Sequence, residues 1–211
     1  MTFSAPFHAL GRQGLARLCL LLSLLGALGL MGGCSAMQAQ NPDSALKPVN
    51  ATPEAGADRL MLKGHDVVAY FTQGRHALGS AQFRSVHQQV TFYFASAEHK
   101  ALFDANPQKY LPQYGGFCAN GVVYGIPWGG DADTWRIADG KLYIFGGAGS
   151  QAAFELDVPA NIRLADRYWA SEVQGSNSFV QRSYRLVFKV PHYKSGTELA
   201  QMVDAARARK P

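Results

Sequence analysis

The sequence predicts a small α+β domain in which a short antiparallel sheet packs against a few helices. Residues 134–145 alternate apolar and polar side chains around Asp139-Gly140, a dipeptide that favours two-residue hairpin turns. Ser96 precedes a helical repeat that ends at Asn106-Pro107, and a capping box at Ser195 begins a last helix. A hydrophobic content of 47% fits a chain that buries a core.

The N-terminus has the pattern of a bacterial export signal. Two arginines and no acidic residue precede the apolar run Leu18–Met31, which is too short to span a bilayer comfortably. The Gly-Gly-Cys sequence that follows resembles a lipobox, in which Cys34 becomes the lipidated first residue of a lipoprotein. Cleavage after Ala36 by ordinary signal peptidase is the alternative.

Four segments follow from this pattern. We predict a signal peptide over residues 1–33, a tether over 34–58, a folded domain over 59–172 and a C-terminal strand and helix over 173–211. Ser35, rather than aspartate, follows the predicted anchor, and by resemblance to lipoprotein sorting rules this favours an outer-membrane lipoprotein facing the periplasm. A soluble periplasmic protein is the alternative location.

The charge and cysteine content limit the kinds of partner and cross-link that the sequence predicts. The net charge of +5 includes two signal arginines, and what remains is too small to indicate nucleic-acid binding. The membrane, reached through a lipid at Cys34, is the one predicted partner, and the sequence points to no particular protein. Cys19 leaves with the signal, so Cys118 is the only thiol of the folded domain and no disulfide within it is expected. A buried, inert thiol and a reactive one both remain open.

The first half of the domain contains short elements in quick succession. Asp66 is placed to cap a short helix at its start, ahead of the apolar residues 67–71. Phe83–His87 and Val90–Phe94 are predicted strands, joined by a Gln-Gln turn whose chemistry is poor for a tight hairpin. In the following helix His99 shares a face with two apolar residues, which predicts that it points inward.

The second half ends in a helix, a strand and a helix. Pro159 opens a helix with an apolar stripe of Ile162, Ala165 and Trp169. Alternation over residues 184–190 predicts a half-buried strand that Pro191 ends. After Ser195 the last helix has an apolar face that includes Leu199 and Val203 and a basic C-terminal end.

Two sets of motifs resemble the YHS-domain family. The first set is Tyr93, Ser96 and His99, followed by Phe103, Pro107 and Tyr110. The second resembles an exported or lipoprotein branch of that family and comprises Gly64–Phe71, Pro112–Ala119 and Asp139–Tyr143. The likeness covers residues 59–170 and implies a treble-clef-like core that handles a transition metal. Ala95 stands where metal-transporter relatives carry cysteine, and His65 stands where this branch has tyrosine.

The candidate metal ligands are a thiol and several imidazoles. Thiolate and imidazole suit zinc and copper, so we predict a copper or zinc site with Cys118 and His99 as the first ligands and His65 and His87 behind them. No C-x-x-C pair and no H-x-x-x-H helix motif supports this set, so the resemblance carries most of the prediction.

Two other functions stay open. A histidine beside Cys118 would raise its thiolate fraction and make a thiol-redox protein. Alternatively, the aromatic surface would bind a partner and the domain would be a non-catalytic envelope interaction module. The sequence supplies neither a resolving cysteine for Cys118 nor a recognisable Ser-His-Asp set. An enzymatic function is therefore less favoured than metal binding.

Overall fold

The structure, a computed structural model, describes residues 50–54 and 57–209. The strands are β1 (Ala51–Glu54), β2 (Ala57–Met61), β3 (Ser80–His87), β4 (Val90–Phe94), β5 (Asp131–Ala138) and β6 (Lys141–Phe145). The α-helices are α1 (Ala69–Thr72), α2 (Ala97–Ala105), α3 (Pro107–Tyr110), α4 (Ala119–Val122), α5 (Ala148–Phe154), α6 (Val158–Tyr168), α7 (Ser178–Val187) and α8 (Gly196–Ala208). Single 3₁₀ turns at Leu62–Gly64 and Gln113–Gly116 and a π-turn at Trp169–Val173 connect them. The predicted α+β class is confirmed.

The larger sheet begins earlier than predicted. Its strand order is β1-β2-β4-β3, and the contact between β2 and β4 is parallel while the other pairs are antiparallel. β1 and the first two residues of β2 lie within the segment predicted as a tether, so the sheet begins before residue 59, the predicted start of the domain. Backbone pairing holds this segment in the sheet although its sequence has no apolar period. At its start Asn50 adds two more bonds, to the carbonyl oxygens of Gly115 and Gly116, both at 2.7 Å.

Both predicted hairpins form. β3 and β4 pair through His87 and Val90, with Gln88 and Gln89 at φ 49° and 64° in the turn, a region that glycine and asparagine usually occupy. β5 and β6 pair in the predicted register, Ile137 with Leu142 and Trp135 with Ile144. At the Gln88-Gln89 turn, strand pairing imposes the tight-turn geometry on unfavourable residues. At Asp139-Gly140, the turn residues themselves favour that geometry.

The three helix starts predicted at Ser96, Pro159 and Ser195 are confirmed, and a side chain caps each helix. Ser96 Oγ accepts the His99 amide at the start of α2, and Asn106 follows its end. Asp157 caps α6, whose first turn contains Pro159. Ser195 forms the full capping box of α8 with Glu198.

The predicted strand over residues 184–190 is wrong. Residues 178–187 form helix α7, which begins after Asn177, whose side chain accepts the amides of Phe179 and Val180. The alternation of apolar and polar residues predicted a strand with one buried face, but Tyr184, Leu186 and Phe188 are all exposed. The C-terminal extension is therefore two helices.

The core has two clusters that share strand β6. Leu142 and Ile144 belong to the first cluster, with Phe92, Phe94 and Phe103 at its centre. Tyr143 and Phe145 point the other way into the second cluster, which contains Phe117, Cys118 and Phe154. Successive side chains of a strand point to opposite faces, so β6 is buried on both. None of the helices in the described part of the chain has the length and apolar character needed to cross a bilayer.

Three buried tyrosines make the fold sensitive to alkaline pH. Burial raises the pKa of Tyr143 to about 12. Burial likewise raises the pKa of Tyr70 and of Tyr114, and for Tyr114 the hydrogen bond to Asp166 adds to the rise. The folded state therefore holds these protons more tightly than the unfolded chain, whose tyrosines ionise near pH 10.

We expect the free energy of unfolding to be steady up to about pH 9.5 and to fall above the unfolded pKa of about 10, by up to about 1.4 kcal/mol per pH unit for each tyrosine. Urea unfolding at pH 8, 9.5 and 11 measures this. Tyr114→Phe removes one ionisable group and leaves the exposed Asp166 to water, so its alkaline slope should be smaller. Equal slopes in the two proteins would contradict this origin.

Candidate functional site

The Asp66 carboxylate is fully buried and accepts hydrogen bonds at both oxygens. Oδ1 accepts the amides of Val68 and Ala69 at 2.8 and 3.3 Å. Oδ2 accepts the Ala95 amide at 2.8 Å and the His99 Nδ1–H at 2.6 Å. The predicted capping role of Asp66 is confirmed, and the same carboxylate also joins α1 to the junction between β4 and α2. A buried charge with this many donors is compensated.

His99 has protein partners at both ring nitrogens. Nδ1 faces Asp66, while Nε2 lies 3.1 Å from Thr72 Oγ1 and 3.4 Å from Gln73 Nε2. A carboxylate, an imidazole and a hydroxyl thus stand in the order of a hydrolytic relay. The Thr72 hydroxyl, however, donates to the Val68 carbonyl oxygen. The two cavities described below are lined by other residues, and the described partners of the cluster are all protein groups, so we assign this cluster a structural role.

Cys118 is a free thiol buried in the second core cluster. It is 3% exposed, and its amide donates to the Trp128 carbonyl oxygen at 2.8 Å. It reaches one wall of a cavity of about 450 Å³, together with Tyr124, Trp128 and Tyr193. Among the described residues that line this cavity there is no histidine. Cys118 thus lines this cavity without a histidine, while the His99 ring contacts Asp66, Thr72 and Gln73 instead.

His87 is isolated from the other candidates. It lies at the end of β3, and its ring meets the Phe103 ring edge-on, with centroids 6.1 Å apart. Its Nε2 is buried, and no described residue supplies a hydrogen-bond partner for it. An aromatic wall offers no second metal ligand, so the predicted role of His87 gains no support from its surroundings.

His65 stands beside a second histidine. Its Nδ1 lies 3.0 Å from the Leu62 carbonyl oxygen, which can only accept, so the Nδ1 proton points there and Nε2 keeps its lone pair. The His76 ring lies 6.0 Å from the His65 ring between centroids. Backbone hydrogen bonds of 2.8 Å, from Asp66 to Ala77 and from Gly79 to Gly64, hold the loop that carries His76.

Two carboxylates line the same cavity. It has a volume of about 340 Å³, and we call it the His65 cleft; its walls are Leu62, Lys63, His65, His76, Gly130, Asp131, Ala132 and Asp133. Asp131 and Asp133 are two positions apart at the start of β5, which places both on the outer side of the strand. Ala132 packs inward, and its carbonyl accepts the Tyr70 hydroxyl at 2.7 Å.

Sequence analysis overlooked three of these residues. His76 lies in an irregular loop, and Asp131 is more than fifty positions further along the chain, so no spacing rule connects them. The Asp-x-Asp pattern at the start of a predicted strand region was the available signal. Fold topology, rather than a local motif, brings the two segments together.

The metal prediction remains untested by this geometry. Within residues 50–54 and 57–209, no three His, Cys, Asp or Glu side chains are already arranged as a ligand group. Of the predicted set of Cys118, His99, His65 and His87, only His65 lines a cavity with another histidine. The predicted signal peptide, the lipidation site Cys34 and the tether before Asn50 lie outside the described residues.

Comparison with known proteins assigns no family. Neither a protein-family model, nor a curated protein, nor a solved structure matches the chain. The resemblance to YHS-domain proteins therefore stays a prediction that depends on its motifs alone.

Replacing Asp66 tests the central hydrogen-bond cluster. In Asp66→Asn an amide nitrogen must face two of the four donors and the His99 ring loses its carboxylate, so we expect a loss of about 3–5 kcal/mol in the free energy of unfolding. Asp104→Asn is the matched control, because Asp104 is an exposed carboxylate on α2 that bonds Ser85 and Lys100. That change should cost less than about 1 kcal/mol. Urea unfolding compares them, and similar losses would contradict the central role of Asp66.

Proposed function

We propose that this protein is an exported envelope domain that binds a transition-metal ion of the zinc or copper class at the His65 cleft. The observation that carries the proposal is the fixed orientation of His65. Its Nδ1–H is held by the Leu62 carbonyl oxygen, so Nε2 of the neutral ring keeps a lone pair that can bind an ion, and the His76 ring lies 6.0 Å away between ring centroids. Metal-binding histidines commonly donate their second ring nitrogen to a carbonyl in this way.

The donor types narrow the choice of metal. Imidazole and carboxylate together suit Zn²⁺ and Cu²⁺, whereas Cu⁺ favours thiolate and Mg²⁺ and Ca²⁺ favour oxygen ligands alone. His65 and His76 would supply two nitrogens, and Asp131 or Asp133 would supply an oxygen. His76 and both aspartates are exposed, so their side chains have room to turn towards an ion.

The cleft fits reversible binding better than a structural site. Structural zinc sites have four protein ligands and are closed to solvent. Here the aspartates are exposed and Lys63, a cation, lines the same cavity and opposes a second positive charge. These features favour an ion that is taken up and released, as in delivery, storage or sensing.

The envelope location belongs to the same proposal. A lipid at Cys34 would attach the domain to the membrane, with outer-membrane attachment facing the periplasm favoured and a soluble periplasmic form as the alternative. A thiol-redox function is the weaker candidate, because Cys118 is 3% exposed and no histidine among the described residues lines its cavity.

Metal titration of the processed protein, after chelator treatment, tests the cleft. We expect one Zn²⁺ or Cu²⁺ per chain by calorimetry, and at least about tenfold weaker binding in His65→Ala and in His76→Ala, since each removes a ligand. His87→Ala and Cys118→Ala are the controls and should bind like the wild type.

Two results would contradict the proposal. Absence of binding by the wild type would refute metal binding altogether. Loss of binding in Cys118→Ala, with normal binding in the two cleft variants, would move the site to the thiol.

A further inference from the structure

Helix α7 presents its apolar side to solvent. Six apolar residues of the helix and its end are between 44% and 72% exposed, namely Phe179, Val180, Tyr184, Leu186, Val187 and Phe188. Gln181 and Arg182, on the opposite side, are buried. A surface helix normally has the reverse arrangement, with its apolar stripe on the core. We call the six exposed residues the α7 face.

Hydrogen bonds fix this orientation. Gln181 Nε2 donates to the Gly125 carbonyl oxygen at 3.1 Å, and Arg182 donates to the Pro127 carbonyl oxygen at 2.7 Å. Arg185 Nε donates to Glu172 at 2.7 Å. Rotation of the helix to bury its apolar side would break all of these bonds, so the α7 face cannot be hidden by a local adjustment.

The surroundings of the α7 face are basic and aromatic. No acidic residue occurs between Glu172 and Glu198, whereas Arg182, Arg185, Lys189 and Lys194 do. Lys189 and Lys194 are exposed. The Arg182 guanidinium lies 4.8 Å from the centre of the Trp128 ring, which is 41% exposed. Exposed aromatic and aliphatic side chains with flanking cations are typical of helices that lie in the membrane interface.

We propose that the α7 face docks on an anionic phospholipid surface, with the helix lying in the plane of the interface. A second copy of the chain is a poorer occupant. A ten-residue helix offers a strip of roughly 15 Å by 10 Å, far below the roughly 800 Å² per partner of a stable protein interface. The exposed Lys189 and Lys194, which follow the C-terminal end of the helix, complement anionic lipid, which attracts basic residues near its surface.

The proposal rests in part on the anchor at Cys34. Asn50 follows Cys34 by sixteen positions, and a chain of sixteen residues cannot reach further than roughly 58 Å even when fully extended. A lipid at Cys34 would therefore keep the domain close to the bilayer, so that even a weak contact through α7 is occupied. The mass of the purified chain reports that lipid separately from any test of α7.

An environment-sensitive fluorophore on the α7 face tests the docking. The processed protein carries the label at Val187→Cys, or at Val86→Cys as the matched control; both valines are exposed, at 72% and 66%, and Val86 lies on β3. Cys118 is buried and should not compete for the label. In vesicles of phosphatidylcholine with phosphatidylglycerol, doxyl-labelled lipid should quench the Val187 label about twofold or more and leave the Val86 label nearly unchanged.

Changes of lipid composition and a measurement of oligomeric state distinguish anionic lipid from the other possible occupants of the α7 face. Vesicles of phosphatidylcholine alone should quench the Val187 label less, because the cations then have no partner. Equal, weak quenching at both positions would overturn the proposal. Shielding of the Val187 label in lipid-free buffer, together with a dimer by light scattering, would assign the face to a second copy and would also overturn it. Metal titration of the same samples reports the His65 cleft independently.

Discussion

The buried Asp66 carboxylate is the interaction on which the arrangement of this domain depends. Its two oxygens hold the start of α1 and the junction of β4 and α2, which are separated by almost thirty positions in the sequence. Taking a carboxylate out of water is unfavourable unless its lone pairs are all occupied, and here four donors surround it. The pairing therefore selects one register for these segments, since any shift would leave a buried charge unpaired.

The His65 cleft depends on the same residue. The Asp66 amide donates to Ala77, which is the neighbour of His76, while the Asp66 side chain fixes the helix that follows. On the other wall, Tyr70 of that helix binds the Ala132 carbonyl between the two aspartates. Both walls of the cleft are thus attached to one short segment, residues 65–70, and this segment fixes the backbone that carries His76, Asp131 and Asp133.

The parts of the fold that could be predicted from the sequence are those with local causes. Asp139-Gly140, Ser96 and Ser195 each act within four residues, through turn geometry or a capping hydrogen bond. Strands β1 and β2 could not be predicted because backbone pairing, rather than side-chain pattern, holds them. The candidate site had the same difficulty: His65 was identified, but His76 and the aspartates meet it only through the folded topology.

Helix α7 shows why hydrophobic pattern alone was insufficient. Its alternating residues 184–190 have the period of a half-buried strand, yet the determining interactions are made by Gln181 and Arg182. The carbonyl groups of Gly125 and Pro127 lie in a buried segment and need donors, and these two side chains supply them. Hydrogen-bond satisfaction thus orients the helix and outweighs burial of its apolar side.

The orientation of α7 by its polar side chains has a functional consequence. A helix oriented by its polar side leaves a fixed apolar surface whatever its environment, so the surface is present before any partner arrives and needs no conformational change to bind. The segments that form the His65 cleft, residues 62–76 and 130–133, share no residue with α7. The proposed metal binding and the proposed membrane contact can therefore be altered separately, and a variant that loses one should retain the other.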